Sequence, residues 1–161
     1  MDSLIMVKAK MSYLEEKLAE IDRNVVIDDT VSLIDQEVAS KSGLTGMALK
    51  GGYKGVRRLK GGRMIHKAVN HMLDDFTQAL APLHEDFRAQ QDTTAFGAFL
   101  LKHQTRASEA LLGITDAKIK EAQNKVVIST YSKLRKQAGK HVVDALPGVG
   151  RLIDKHVPHS P

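Results

Sequence analysis

Cysteine is absent from the chain. Disulfides, thiolate zinc sites, iron–sulfur clusters and cysteine nucleophiles are therefore all excluded. Tryptophan is absent as well, and aromatic residues make up only 4% of the sequence. That argues against β-sandwiches and barrels, whose strands draw on aromatic and β-branched side chains. No apolar run approaches the length of a membrane span, and the first residues lack the basic-then-apolar order of a secretory leader. A cytoplasmic protein without a transmembrane segment is expected. The common catalytic patterns are missing too: there is no GxxxxGK[ST], no GxGxxG after a strand, no GxSxG and no HExxH.

What remains is ample for one folded domain. The 161 residues are 42% hydrophobic and 27% charged, a composition that buries a core rather than staying disordered. The net charge is +5, and it is unevenly distributed. Residues 2–37 carry nine acidic and four basic side chains. Residues 38–73 carry eight basic ones (Lys41, Lys50, Lys54, Arg57, Arg58, Lys60, Arg63 and Lys67) and no acidic one. Residues 74–92 return to five acids against one base. Such blocks either neutralise one another by packing side by side, or leave an electropositive surface for an anionic partner.

Apolar periodicity is helical from end to end. Leu4, Val7, Met11, Leu14, Leu18 and Ile21 alternate spacings of three and four, a short heptad seam. A helix follows over about 24–42, with Asn24 as N-cap and Gly43 as a left-handed C-cap residue. Residues 44–62 hold half of the twelve glycines. Gly51 and Gly55 share a face there, which suggests a close helix crossing, and Lys60-Gly61-Gly62 reads as a break. An amphipathic helix is expected over 63–80, with a kink or restart at Pro82 and an apolar face continuing to about residue 90. Shorter helices are expected over 95–103 and 106–124, then 125–141, with a last segment interrupted at Pro147-Gly148. The β-branched run Val126-Val127-Ile128 has no partner strand, so it is assigned to helix. The fold class is all-α: a compact bundle of about seven or eight helices, preceded by a short heptad-patterned N-terminal helix. Residues 1–23 form a possible packing or oligomerisation appendage, 24–157 one helical domain, and 158–161 a frayed tail.

Ionisable clusters are weak. His66 and His71 are five apart, which is poor chelate geometry. His84, Glu85 and Asp86 with Asp74 and Asp75 could assemble a metal site, but they read better as exposed charges near the proline. His103, His141 and His156 fall at expected helix ends, where an imidazole caps carbonyls. Adjacent Asp28 and Asp29 point about 100° apart on a helix and cannot share a site; they suit a first helical turn. Met47, Met64 and Met72 read as core filling. No catalytic, metal or cofactor site is assigned, and no cofactor is expected.

The segments EVASKSGLTGMALKGGYKGVRRLKGG, AVNHMLDDFTQALAPL, FGAFL, EALLGITDAKI and YSKLRKQAGKHVVDALPGVGRLIDKHV resemble, in that order, a family of small helical bacterial proteins of unknown function, mainly actinobacterial. The resemblance covers about 25–156. It implies an all-helical bacterial cytosolic protein and supplies no activity or functional residue.

The function expected is a non-enzymatic helical binding or scaffolding protein. Lys50, Lys54, Arg57, Arg58, Lys60, Arg63 and Lys67 would meet an anionic partner: a lipid surface, nucleic acid or an acidic protein. Tyr53 is the only aromatic residue in that stretch, so base stacking is nearly absent. Two alternatives stand beside it. One is a homodimer through Leu4, Val7, Met11, Leu14, Leu18 and Ile21. The other is a bundle that encloses an apolar ligand such as a fatty acyl chain.

Overall fold

Among the described residues the apolar spacing is realised as helix. A computed structural model of the chain describes residues 11–90 and 95–158, and among them are eight helices and no strand. They are α1 (Tyr13–Ala19), α2 (Arg23–Ala39), α3 (Gly43–Arg57), α4 (Leu59–Gly62), α5 (Met64–Ala89), α6 (Phe96–Lys102), α7 (Gln104–Ile119) and α8 (Lys125–His156).

Local chemistry sets several starts. Ser12 and Glu15 form a capping box at α1, with reciprocal bonds of 3.1 and 3.2 Å. Asp22, not Asn24, caps α2 by accepting the Asn24 N–H at 2.9 Å. Asn124 accepts the N–H groups of Val126 and Val127 at the head of α8. The expected break at 60–62 is real: Lys60, Gly61 and Gly62 all have positive φ, and this turns the chain from α3 into α5. Gly43 is also left-handed, at φ 73°, but it opens α3 rather than closing α2.

Two expected interruptions do not occur. Helix α5 runs through Pro82 and α8 runs through Pro147. A helix-interior proline costs about 3 kcal/mol. Against that, Leu80, Leu83 and Phe87 on α5, and Leu146, Ile153 and Val157 at and beyond the proline of α8, are all buried in one cluster. Fully burying even two such side chains is worth about as much as the proline penalty, so the helices continue.

The main core gathers Leu14, Leu83, Phe87, Phe96, Phe99, Leu100, Leu146 and Val157. Phe87 meets Phe96 at 5.1 Å and Phe99 at 5.6 Å between ring centroids, tilted or edge-on. His84 stands edge-on to Phe96 at 4.9 Å, so it belongs to this aromatic cluster. Helix α6 lies across the C-terminal half of α8 at backbone distance. A Cβ on Gly97 would sit 3.1 Å from the Pro147 Cα, and one on Gly150 would collide with the Gly97 backbone.

The close crossing expected at Gly51 and Gly55 is absent: a Cβ at either position would meet nothing within 4 Å. Both glycines point outward, and it is Gly52 that lies against Thr130 of α8. Spacing identifies a smooth face but not the helix that crosses it.

The heptad seam divides. Leu4 and Val7 lie outside the described residues. Leu14 is fully buried in the main core, with Leu18 packed against it. Met11 and Ile21 line a cleft between α1 and α5. The Tyr13 hydroxyl donates to the Pro158 carbonyl at 2.6 Å, so α1 is joined to the end of the chain.

Candidate functional site

Between α2, α5, α7 and the middle of α8 the packing is incomplete. A cavity of about 370 Å³ lies there, partly open to solvent, with Leu18 of α1 and Leu49 of α3 also in its lining. Its walls are almost wholly aliphatic: Leu33, Ile34 and Val38 from α2, Leu80 from α5, Leu111 and Leu112 from α7, and Leu134, Val142 and Leu152 from α8. The volume falls in the ~300–1,000 Å³ range of small-molecule sites. Water is a poor filling, because it needs polar partners that such walls do not supply.

The polar atoms in the wall are mostly satisfied. The hydroxyls of Thr30, Thr77 and Thr115 donate to the carbonyls of Val26, Leu73 and Leu112 on their own helices. The exception is a corner made by Lys41, in the link between α2 and α3, and His141 of α8. Lys41 Nζ lies 3.0 Å from Asp144 Oδ2, with the lysine side chain 11% exposed and the aspartate 47%. Both ring nitrogens of His141 are buried without a hydrogen-bond partner. Burial, and then the Lys41 charge, hold this imidazole below its ordinary value. It does not cap carbonyls, and neither does His156, whose Nε2 lies 2.7 Å from Asp29 Oδ2. Bonds from Lys155 and then His156 hold Asp29 low, so Asp29 ties α2 to the end of α8.

Two Tyr–Asp–Arg clamps flank the cavity. On α3, Tyr53 and Arg57, one turn apart, both donate to Asp35 of α2. On α8, Tyr131 and Arg135 both donate to Asp116 of α7. The bonds from Arg135 and then Tyr131 bring the Asp116 carboxyl down to about 2. Burial opposes the same effect at Asp35, but the bonds from Tyr53 and Arg57 still lower it. Burial, and then Asp35, push the Tyr53 phenol well above its usual range.

The basic stretch separates into two groups. Arg57 is taken up by its clamp and also donates to the Gly62 carbonyl at 2.8 Å. Lys50, Lys54, Arg58, Lys60, Arg63 and Lys67 are exposed and form no ion pair among the described residues. The acidic stretch after residue 73 does not neutralise them: Asp74 pairs with Arg23, Asp75 with Lys118 and Asp86 with Arg106. On the outer side of α3, Leu44 is 88% and Met47 70% exposed, so Met47 is not core filling. Ala48, Gly51 and Gly55 continue this exposed strip beside the cations.

Among the described residues no group of three or more His, Cys, Asp or Glu could hold a metal ion, and no helix is long and apolar enough to cross a membrane.

Comparison with known proteins gives one match. A model for a family of unknown function, DUF6918, fits residues 14–157. The chain belongs to that family. The DUF6918 span starts inside α1, earlier than the resemblance at 25–156, so Leu14 and the core contacts of α1 fall within it. No curated protein and no solved structure matches. DUF6918 membership therefore names a fold unit and leaves its role to the geometry.

Sequence reading did not find the cavity or the corner. The clamps had a signal: Tyr-x-x-x-Arg occurs at 53–57 and again at 131–135, a spacing that places both side chains on one helix face. His141 had none, because its isolation is visible only once α2 and α8 are packed together.

Proposed function

We propose that this protein is a non-enzymatic helical carrier that takes one apolar chain of the fatty-acyl type into its interior. The observation that carries the reading is the partly open cavity, of a size that suits a small ligand and with apolar walls that offer water few partners. A flexible hydrocarbon chain suits walls of Leu, Ile and Val, which offer area and few directional contacts. The test begins with protein stripped of lipid by denaturation and refolding. Titration with a fluorescent polyene fatty acid should saturate at one molecule per chain. Ala145, in the cavity wall, is the place to block it: Ala145→Phe should abolish uptake while the helical circular dichroism stays intact. Stripped wild-type protein that takes up no apolar chain overturns the reading.

A second reading concerns the outer side of α3 and is supported by the exposed Leu44 and Met47 beside unpaired cations. Apolar side chains flanked by lysines and arginines suit an anionic lipid surface better than nucleic acid, because they insert while the cations meet headgroups. Binding to vesicles containing phosphatidylglycerol should fall steeply as salt rises. It should fall further in Lys54→Glu/Arg58→Glu and in Leu44→Ser/Met47→Ser. Salt-sensitive binding to duplex DNA, with none to vesicles, would reverse the assignment.

A further inference from the structure

The carrier reading leaves one part of the cavity wall unexplained. A ligand made only of hydrocarbon would bury the Lys41–His141 corner against apolar atoms. That would leave two imidazole nitrogens without partners, a loss of the kind folded proteins avoid. We propose that Lys41 and His141 receive the carboxylate head of a single-chain fatty acid whose tail fills the cavity. The inference rests on the carrier reading and adds the head group to it.

Three observations support it. First, the corner offers one cation and one neutral donor. An imidazole that stays neutral can give one N–H to a carboxylate oxygen while Lys41 meets the other. Second, Asp144 already places a carboxylate on Lys41, at 3.0 Å, which shows that the lysine can present itself to such a group. Asp144 is half-exposed, so it can release Lys41 into a ligand contact and return to water at small cost. Third, Glu37, the one acid among the lining residues, has its Oε1 beside Gly148, where the Arg151 guanidinium also lies, and forms no hydrogen bond with Lys41 or His141 among the described residues. The charged groups acting on His141 are Lys41 and Lys140, which disfavour its proton, and Asp144, which favours it. With one cation inside the wall at this corner, a singly charged head fits and a doubly charged phosphate monoester does not.

The experiment compares hexadecanoate with hexadecanol on stripped wild-type protein and on Lys41→Met, which keeps the apolar stem and removes the charge. Wild type should prefer the acid by about tenfold or more, the size of one charge-assisted hydrogen bond. Lys41→Met should lose that preference and keep its affinity for the alcohol. Asp144→Asn, a change at a half-exposed site, should tighten binding of the acid a few-fold by freeing Lys41. Equal binding of both chains by wild type, or an unchanged preference in Lys41→Met, overturns the head-group assignment and leaves the carrier reading standing. Uptake of neither chain overturns both.

Discussion

Helix α8 is packed in two different ways along its length. Near its C-terminal end it meets α6 through Gly97 and Gly150, with no room for one added carbon. In its middle, around Leu134 to Val142, it faces α2 across a cavity of about 370 Å³. Three of the four phenylalanines, Phe87, Phe96 and Phe99, lie at the tight end. The fourth, Phe76, lines the cavity among aliphatic side chains. The scarcity of aromatic residues is thus also a matter of distribution. Rigid rings interlock where the fold is held, and short branched side chains leave space elsewhere. One end is packed to backbone contact, and the other leaves space.

Mutations should separate the two ends. The largest effect is expected for Phe96→Ala, which removes a fully buried ring at the tight end and should cost about 3–5 kcal/mol in denaturant unfolding. Leu111→Ala in the cavity wall, beside space that already exists, should cost less than half as much. Parity between the two would erase the contrast.

Next comes Gly150→Ala. Its Cβ would strike the backbone of α6, which cannot move aside as a side chain can, and overpacking of this kind costs about 1–3 kcal/mol. Gly51→Ala, on an open face of α3, should go the other way and stabilise by about 0.5–1 kcal/mol. Thermal midpoints measured side by side decide it, and a Gly150→Ala protein as stable as wild type would mean that α6 and α8 are not in contact there.

Ala145→Phe should leave the unfolding midpoint within about 1 kcal/mol of wild type, since the ring enters space instead of displacing atoms. A loss as large as that of Gly150→Ala would show that this side is as full as the other.

The smallest effect is expected from acid. Asp116 sits below its ordinary 3.8, at about 2, so its clamp contributes stability above pH 3.8 that is lost as the pH falls toward 2. Asp35 and Asp29 are lowered in the same sense. Unfolding midpoints of wild type and Asp116→Asn should therefore differ at pH 6 and converge near pH 2. A constant difference across that range would separate Asp116 from the acid response.

Much of the architecture was legible in the sequence because helices declare themselves by period. Leu14, Leu18 and the stripe from Ile65 to Leu80 could be assigned to helices before any packing was known. The left-handed break at 60–62 was legible too, since two adjacent glycines leave few other uses. What period does not encode is which faces meet and how closely. Gly51 and Gly55 have the spacing of a crossing and face outward, whereas Gly148 and Gly150, two residues apart beside a proline, lie buried in the fold's close packing. Pro82 and Pro147 marked breaks only as long as the burial on either side was unknown. The basic stretch was legible as charge, but the removal of Arg57 from it depends on Asp35, eighteen residues before Tyr53 and on another helix. The cavity is a property of the misfit between apolar faces, and no single segment contains it.

The Tyr131 clamp has an optical consequence. The chain contains three tyrosines and no tryptophan, so its fluorescence comes essentially from phenols. Tyr53 and Tyr131 each hold a carboxylate, and Tyr131 also shares a 2.9 Å hydrogen bond with Thr115 in the cavity wall. A carboxylate bound to a phenol quenches its emission, and the strength of that quenching depends on the geometry of the bond. Should a ligand in the proposed site displace Thr115, it would alter the Tyr131 bond as well, and tyrosine fluorescence of the unlabelled protein would then report occupancy.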